Sequence, residues 1–116
     1  MPEAADLATD PVVVIYATFP DLAVAKNAAR YLVEARLAAC VNIITAMTAV
    51  YRWQGAIQED AEVVVIAKTR RSLADAITNA ICANHPYDTP AVVVLETVGG
   101  SQRYLDWVRV ETGPTA

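Results

Sequence analysis

The chain has 116 residues, 55% of them in the class AVILMFWYC and only 19% charged, and 22 alanines with 16 valines make up a third of it. Ample apolar surface and little charge exclude intrinsic disorder, and two cysteines, Cys40 and Cys82, exclude a disulfide-stapled miniprotein. A formal charge of −4 is the wrong sign for a nucleic-acid surface, and no apolar run approaches the 18 or so residues of a membrane span. With no basic and apolar leader, the cytoplasm is the expected compartment, with both thiols reduced.

Residues 1–10 read as a flexible, solvated lead-in, and residues 11–116 as a single domain. Pro11 to Thr18 is a β-branched run that predicts a strand covered on both faces. Pro20 breaks it, and Asp21 is placed to cap a helix. Leu22, Ala25, Ala29, Leu32 and Val33 form that helix's apolar face, which ends near Arg36. From Leu37 to Trp53 the chain is β-rich and too long for one regular strand, so a bulge is expected around Ala46-Met47. Gln54-Gly55 then turns the chain into a hairpin with a strand over Ile57 to Thr69. Ser72 to Asp75 has the pattern of a capping box opening a second helix, with Ile77, Ala80 and Ile81 on its core face. His85 to Pro90 is a proline-stiffened loop. Ala91 to Val98 predicts a fourth strand, ended by Gly99-Gly100, and Ser101 caps a last helix. The order β-α-β-β-α-β plus a terminal helix predicts an α+β, ferredoxin-like fold: four antiparallel strands with two helices on one face. Val63 to Ile66 and Val92 to Leu95 are apolar at every position, so the helix-free face needs cover, which another subunit would supply.

Little in the chain points to covalent catalysis. The only serines, Ser72 and Ser101, both read as helix caps, and neither sits in a Gly-x-Ser-x-Gly turn. No phosphate loop is present. The soft and imidazole donors are Cys40, Cys82 and His85. Cys40 reads as core filling in a strand. Cys82 and His85, three apart, form at most a two-donor site for copper or zinc. His85 either complements the carbonyls ending its helix or projects into a cleft beside Tyr87 and Asp88. Tyr51, Arg52 and Trp53 form an aromatic hairpin tip suited to an intersubunit contact. Glu62 and Lys68 flank the apolar part of the third strand, as a salt-bridged edge or as the polar lining of a small-ligand cleft. An enzyme using His85, Tyr87, Asp88, Lys68 and Glu62 for acid-base chemistry is the alternative to a binding role, although no nucleophile-base pair is readable.

The run Arg36-Leu37-Ala38-Ala39-Cys40-Val41-Asn42, then Tyr51-x-Trp53-x-Gly55-x-Ile57, Glu62, Lys68-Thr69, His85-Pro86-Tyr87-x-x-Pro90 and Tyr104-Leu105-x-Trp107 resembles the CutA divalent-cation tolerance proteins, in order and spacing, from about Val12 to Val110. The resemblance implies a ferredoxin-like subunit, a homotrimer, a cytoplasmic location and a role in tolerance to divalent metals, copper first. Subunit and trimer are also similar to the PII-type signalling proteins, which implies regulatory binding rather than catalysis. It further implies an intersubunit ligand cleft at Tyr51, Trp53, Glu62, Lys68 and Tyr87, with Cys40, His85 and Asp88 as metal donors; Asp88 stands where the family usually has Glu. Copper or zinc, weakly held, is the one cofactor expected, with no catalytic residue, no nucleic acid and no membrane partner. Copper fits mixed thiolate and imidazole donors best.

Overall fold

A computed structural model describes residues 4–114. The elements run α1 (Ala4–Thr9), β1 (Val12–Phe19), α2 (Leu22–Glu34), β2 (Cys40–Trp53), β3 (Ala56–Arg70), a 3-10 turn (Arg71–Leu73), α3 (Ala74–Ala83), β4 (Val92–Glu96) and α4 (Gln102–Glu111). The four strands form one antiparallel sheet in the order β2-β3-β1-β4. That is the expected α+β ferredoxin-like arrangement.

The alternation of each strand decides what faces what. Val13, Ile15, Ala17 and Phe19 of β1 and Val63, Val65 and Ala67 of β3 join Ala25, Leu32, Ile77 and Ile81 of α2 and α3 in the main core. Their alternates, among them Tyr16 and Thr18 on β1 and Glu62, Ile66 and Lys68 on β3, point to the other face. No helix of the main core covers that face, and α4 roofs one end of it. There Arg70 is buried, with its guanidinium donating to the Thr112 hydroxyl (3.1 Å) and carbonyl (2.7 Å) at the end of α4.

The local signals hold at most joints. Asp21 caps α2 by accepting from the Val24 amide (2.9 Å), and Ser101 caps α4 by accepting from Tyr104 (3.4 Å). The bulge lies between Ile44 and Met47, with Ala46 at φ 62°. The turn at Gln54-Gly55 has both residues at positive φ, 47° and 82°, the geometry that matches the twist of a tight hairpin. β3 pairs with β1 only from Val63 to Arg70, so the distal half of the β2–β3 hairpin runs on as a two-stranded ribbon. The molecule is accordingly long, 49 × 26 × 22 Å.

Two expectations are corrected. The capping box at Ser72–Asp75 does not form. Ser72 lies in the 3-10 turn and donates its hydroxyl to Asp10 (2.5 Å), while α3 begins at Ala74 without a side-chain cap. Residues 1–3 of the expected lead-in lie outside the described residues. Within them, Ala4–Thr9 is a helix in contact with α4, and Asp10 is the ion-pair partner of Arg70 (3.0 Å), so the end of that segment is framework.

Candidate functional site

A groove of about 970 Å³ opens on the less covered face, between the distal hairpin and the loop after α3. Period-2 alternation puts Met47 and Tyr51 on that face of β2, and Asp60 and Glu62 on that face of β3. Tyr16 and Thr18 of β1 form its floor, and Pro86, Tyr87 and Asp88 its rim. Tyr51 donates its hydroxyl to the Asp60 carboxylate (2.5 Å), and this bond, with the nearby negative charge, raises its pKa above the usual range. Tyr87 is pushed up to about 12, by burial first and then by the Glu62 carboxylate beside it. Tyr51 thus holds one carboxylate, and Tyr87 lies beside the other.

The loop is held in place by His85. Its ring stacks on Phe19 (centroids 4.6 Å) and lies against Tyr87 (4.8 Å). Nε2 lies 2.7 Å from the Thr18 carbonyl, which only accepts, so Nε2 carries the proton. Nδ1 then accepts from the Tyr87 amide (3.1 Å). Both ring nitrogens are engaged, and His85 works as a clip joining the loop to the end of β1.

Of the residues expected in one cleft, the structure brings together Tyr51, Trp53, Glu62, Tyr87 and Asp88, with His85 behind them. It does not bring Lys68 or Cys40 there. Lys68 is six residues from Glu62 on the same strand, about 20 Å at a rise of ~3.3 Å per residue. Its ammonium donates to the Asn42 side-chain carbonyl and lies 3.9 Å from the Cys40 sulfur, since Cys40 and Lys68 are cross-strand partners. Tyr104 of α4 closes over this second cluster, its pKa raised by burial and then by Cys40. Cys40 and His85 therefore sit towards opposite ends of the sheet face. Cys82 is exposed, and among the described residues no group of three His, Cys, Asp or Glu could hold a metal ion. The described residues of one chain thus offer no preformed site of three such donors.

Asp60 is the groove residue that sequence reasoning missed. The signal was present: Gln58, Asp60 and Glu62 alternate in phase and so share a face with Tyr51. No Lys, Arg or His is among the residues lining the groove.

Comparison with known proteins bears on this geometry. The family model of the CutA1 divalent ion tolerance protein matches residues 13–111. The chloroplastic protein CutA of Arabidopsis thaliana is 43% identical over 104 residues, 90% of this chain and 57% of that protein. The chain thus spans little more than half of that relative's length. The divalent-cation tolerance protein CutA of Thermus thermophilus is 43% identical over 100 residues, 86% of this chain and 97% of the relative. The crystal structure of CutA1 from Oryza sativa superposes with a TM-score of 0.88 at 42% identity, covering 93% of this chain and 99% of that one.

Proposed function

The chain belongs to the CutA1 divalent ion tolerance family, and from that premise we propose that it is a homotrimeric, non-catalytic binding protein. In this reading it contributes to tolerance of divalent metal ions, copper first, from the cytoplasm. It does so by regulatory binding of the kind the PII-type proteins perform. The observation that carries the reading is the groove beside an under-covered sheet face. Val93 and Leu95 on that face are 49% and 48% exposed, and Val50 and Ile57 on the ribbon 63% and 60%. An isolated two-stranded ribbon is at best marginally stable in water, so these side chains call for the surface of another copy. Assembly then converts the groove into a cleft between subunits; the number three comes from the family resemblance.

Metal binding in this reading is weak and reversible. His85 and Asp88 are its donors, and Cys40 contributes only where assembly leaves it accessible. To serve as a ligand, His85 gives up the Tyr87 amide at Nδ1, so copper or zinc competes with a loop hydrogen bond. The test is calorimetric titration of the reduced protein with copper and zinc, beside His85→Ala and Cys40→Ala. Loss of binding in His85→Ala is the expected result. Unchanged binding in both variants removes both residues as ligands.

A further inference from the structure

We propose that the groove takes a small organic cation, an ammonium or guanidinium group on a short apolar stem, seated between the Tyr51–Asp60 and Tyr87–Glu62 pairs. The inference rests on the groove being a ligand site, as read above, and names the chemistry of what enters it. Three features of the lining carry it. The charged groups there are all carboxylates, because the one cation expected among them, Lys68, is some 20 Å away along β3 at ~3.3 Å per residue. The walls are aromatic: Tyr16, Tyr51, Trp53 and Tyr87 line the same space. The cavity, about 970 Å³ in one chain and narrowed by any neighbouring copy, is of the size that holds small ligands.

The Asp60 carboxylate already accepts a hydrogen bond from the Tyr51 hydroxyl, which aligns it and leaves further lone pairs free, and the Glu62 carboxylate lies beside Tyr87. Aromatic faces attract a cation through the ring quadrupole, and its apolar stem finds Met47, Pro20 and Pro86 in the same lining. The carboxylates that this chain places in the lining repel an anion. A hard divalent ion fits poorly, since it needs about six oxygen ligands at 2.0–2.6 Å, and no group of three candidate ligands lies together among the described residues.

The experiment is a heteronuclear NMR titration of the whole protein with butylguanidinium and butylammonium, beside neutral butanol, anionic butyrate and copper(II). The indole signal of Trp53 reports the groove. That of Trp107, on α4 beside Tyr104, serves as the internal control. Both organic cations are expected to shift Trp53 saturably while Trp107 stays put, with butanol and butyrate inactive. The double variant Asp60→Asn/Glu62→Gln weakens cation binding at least tenfold, and sedimentation verifies that its assembly is unchanged. Equal binding by butanol, or by the double variant, overturns the inference. If copper or butanol shifts Trp53 and the organic cations do not, the cation inference falls while the ligand site stands. If no probe moves Trp53, both fall.

Discussion

Tyr87 gives the groove a titration that can be followed directly. Its folded-state pKa of about 12 lies above the ordinary 10, so the fold favours the neutral phenol. The stabilisation this supplies is fully present below pH 10 and is lost as pH rises through about 12. Phenolate absorbance should therefore show late-ionising tyrosines with Tyr87 among them, and Glu62→Gln should bring the Tyr87 step towards pH 10 without abolishing the part due to burial. No change in the late step would separate Tyr87 from Glu62. At the other end of the molecule, Arg70 has a side chain only 4% exposed and is paired with Asp10, whose side chain is 11% exposed. The same guanidinium bonds Ser72 and Thr112, tying the segment before β1 to the ends of β3 and α4. Arg70→Ala strands the Asp10 carboxylate and should cost about 3–5 kcal/mol in denaturant unfolding. A loss under ~1 kcal/mol, the scale of a surface pair, would mean that the network is solvated.

At the scale of the element, the β2–β3 hairpin carries the backbone exceptions. Gln54 at φ 47° and Gly55 at φ 82° close the ribbon, and both positions ask for residues that accept the left-handed region. A Cβ added at Gly55 would touch nothing, so its cost is conformational alone. Gly55→Ala is expected to destabilise by about 1 kcal/mol, whereas Gln54→Asn, the preferred partner of Gly in this turn, should stabilise. Thermal unfolding at fixed protein concentration reads both. Equal midpoints for all three proteins would show that the tip folds independently of the unfolding unit. The bulge at Ala46 matters differently. By inserting a residue between Ile44 and Met47 it resets the alternation, so that Met47, Ala49 and Tyr51 share the groove face with Asp60 and Glu62. A regular strand would turn Tyr51 away from Asp60.

For the whole molecule, the uneven cover of the sheet decides behaviour. α2 and α3 bury one face, α4 roofs one end of the other, and the ribbon projects beyond β1 with exposed Val50, Ile57 and Trp53. β2 and β4 are both edge strands, and each leaves a row of backbone groups open to pairing. Light scattering at micromolar concentration should return three times the 12.5 kDa chain mass, and a monodisperse monomer would refute the trimer. Charged replacements of Val50 and Ile57 on the ribbon should shift the mass downward. No helix among the described residues is long and apolar enough to cross a membrane.

The sequence by itself determined the order of elements from β1 to α4, the hairpin turn, the bulge and the caps at Asp21 and Ser101, because each depends on neighbours within a few residues. Periodicity also identified most of the core faces of α2 and α3. It failed where a partner from far along the chain outbid the local one. Ser72 had a capping pattern, but Asp10, 62 residues away, took its hydroxyl. The membership of the groove belonged to the tertiary structure for the same reason. Which end of the sheet meets the proline loop is set by His85 reaching the Thr18 carbonyl, 67 residues back, and by the way β3 runs past β1. That choice gathers Tyr51, Asp60, Glu62 and Tyr87 into one groove and leaves Cys40 and Lys68 at the opposite end, a charge separation that no spacing rule along a single strand could supply.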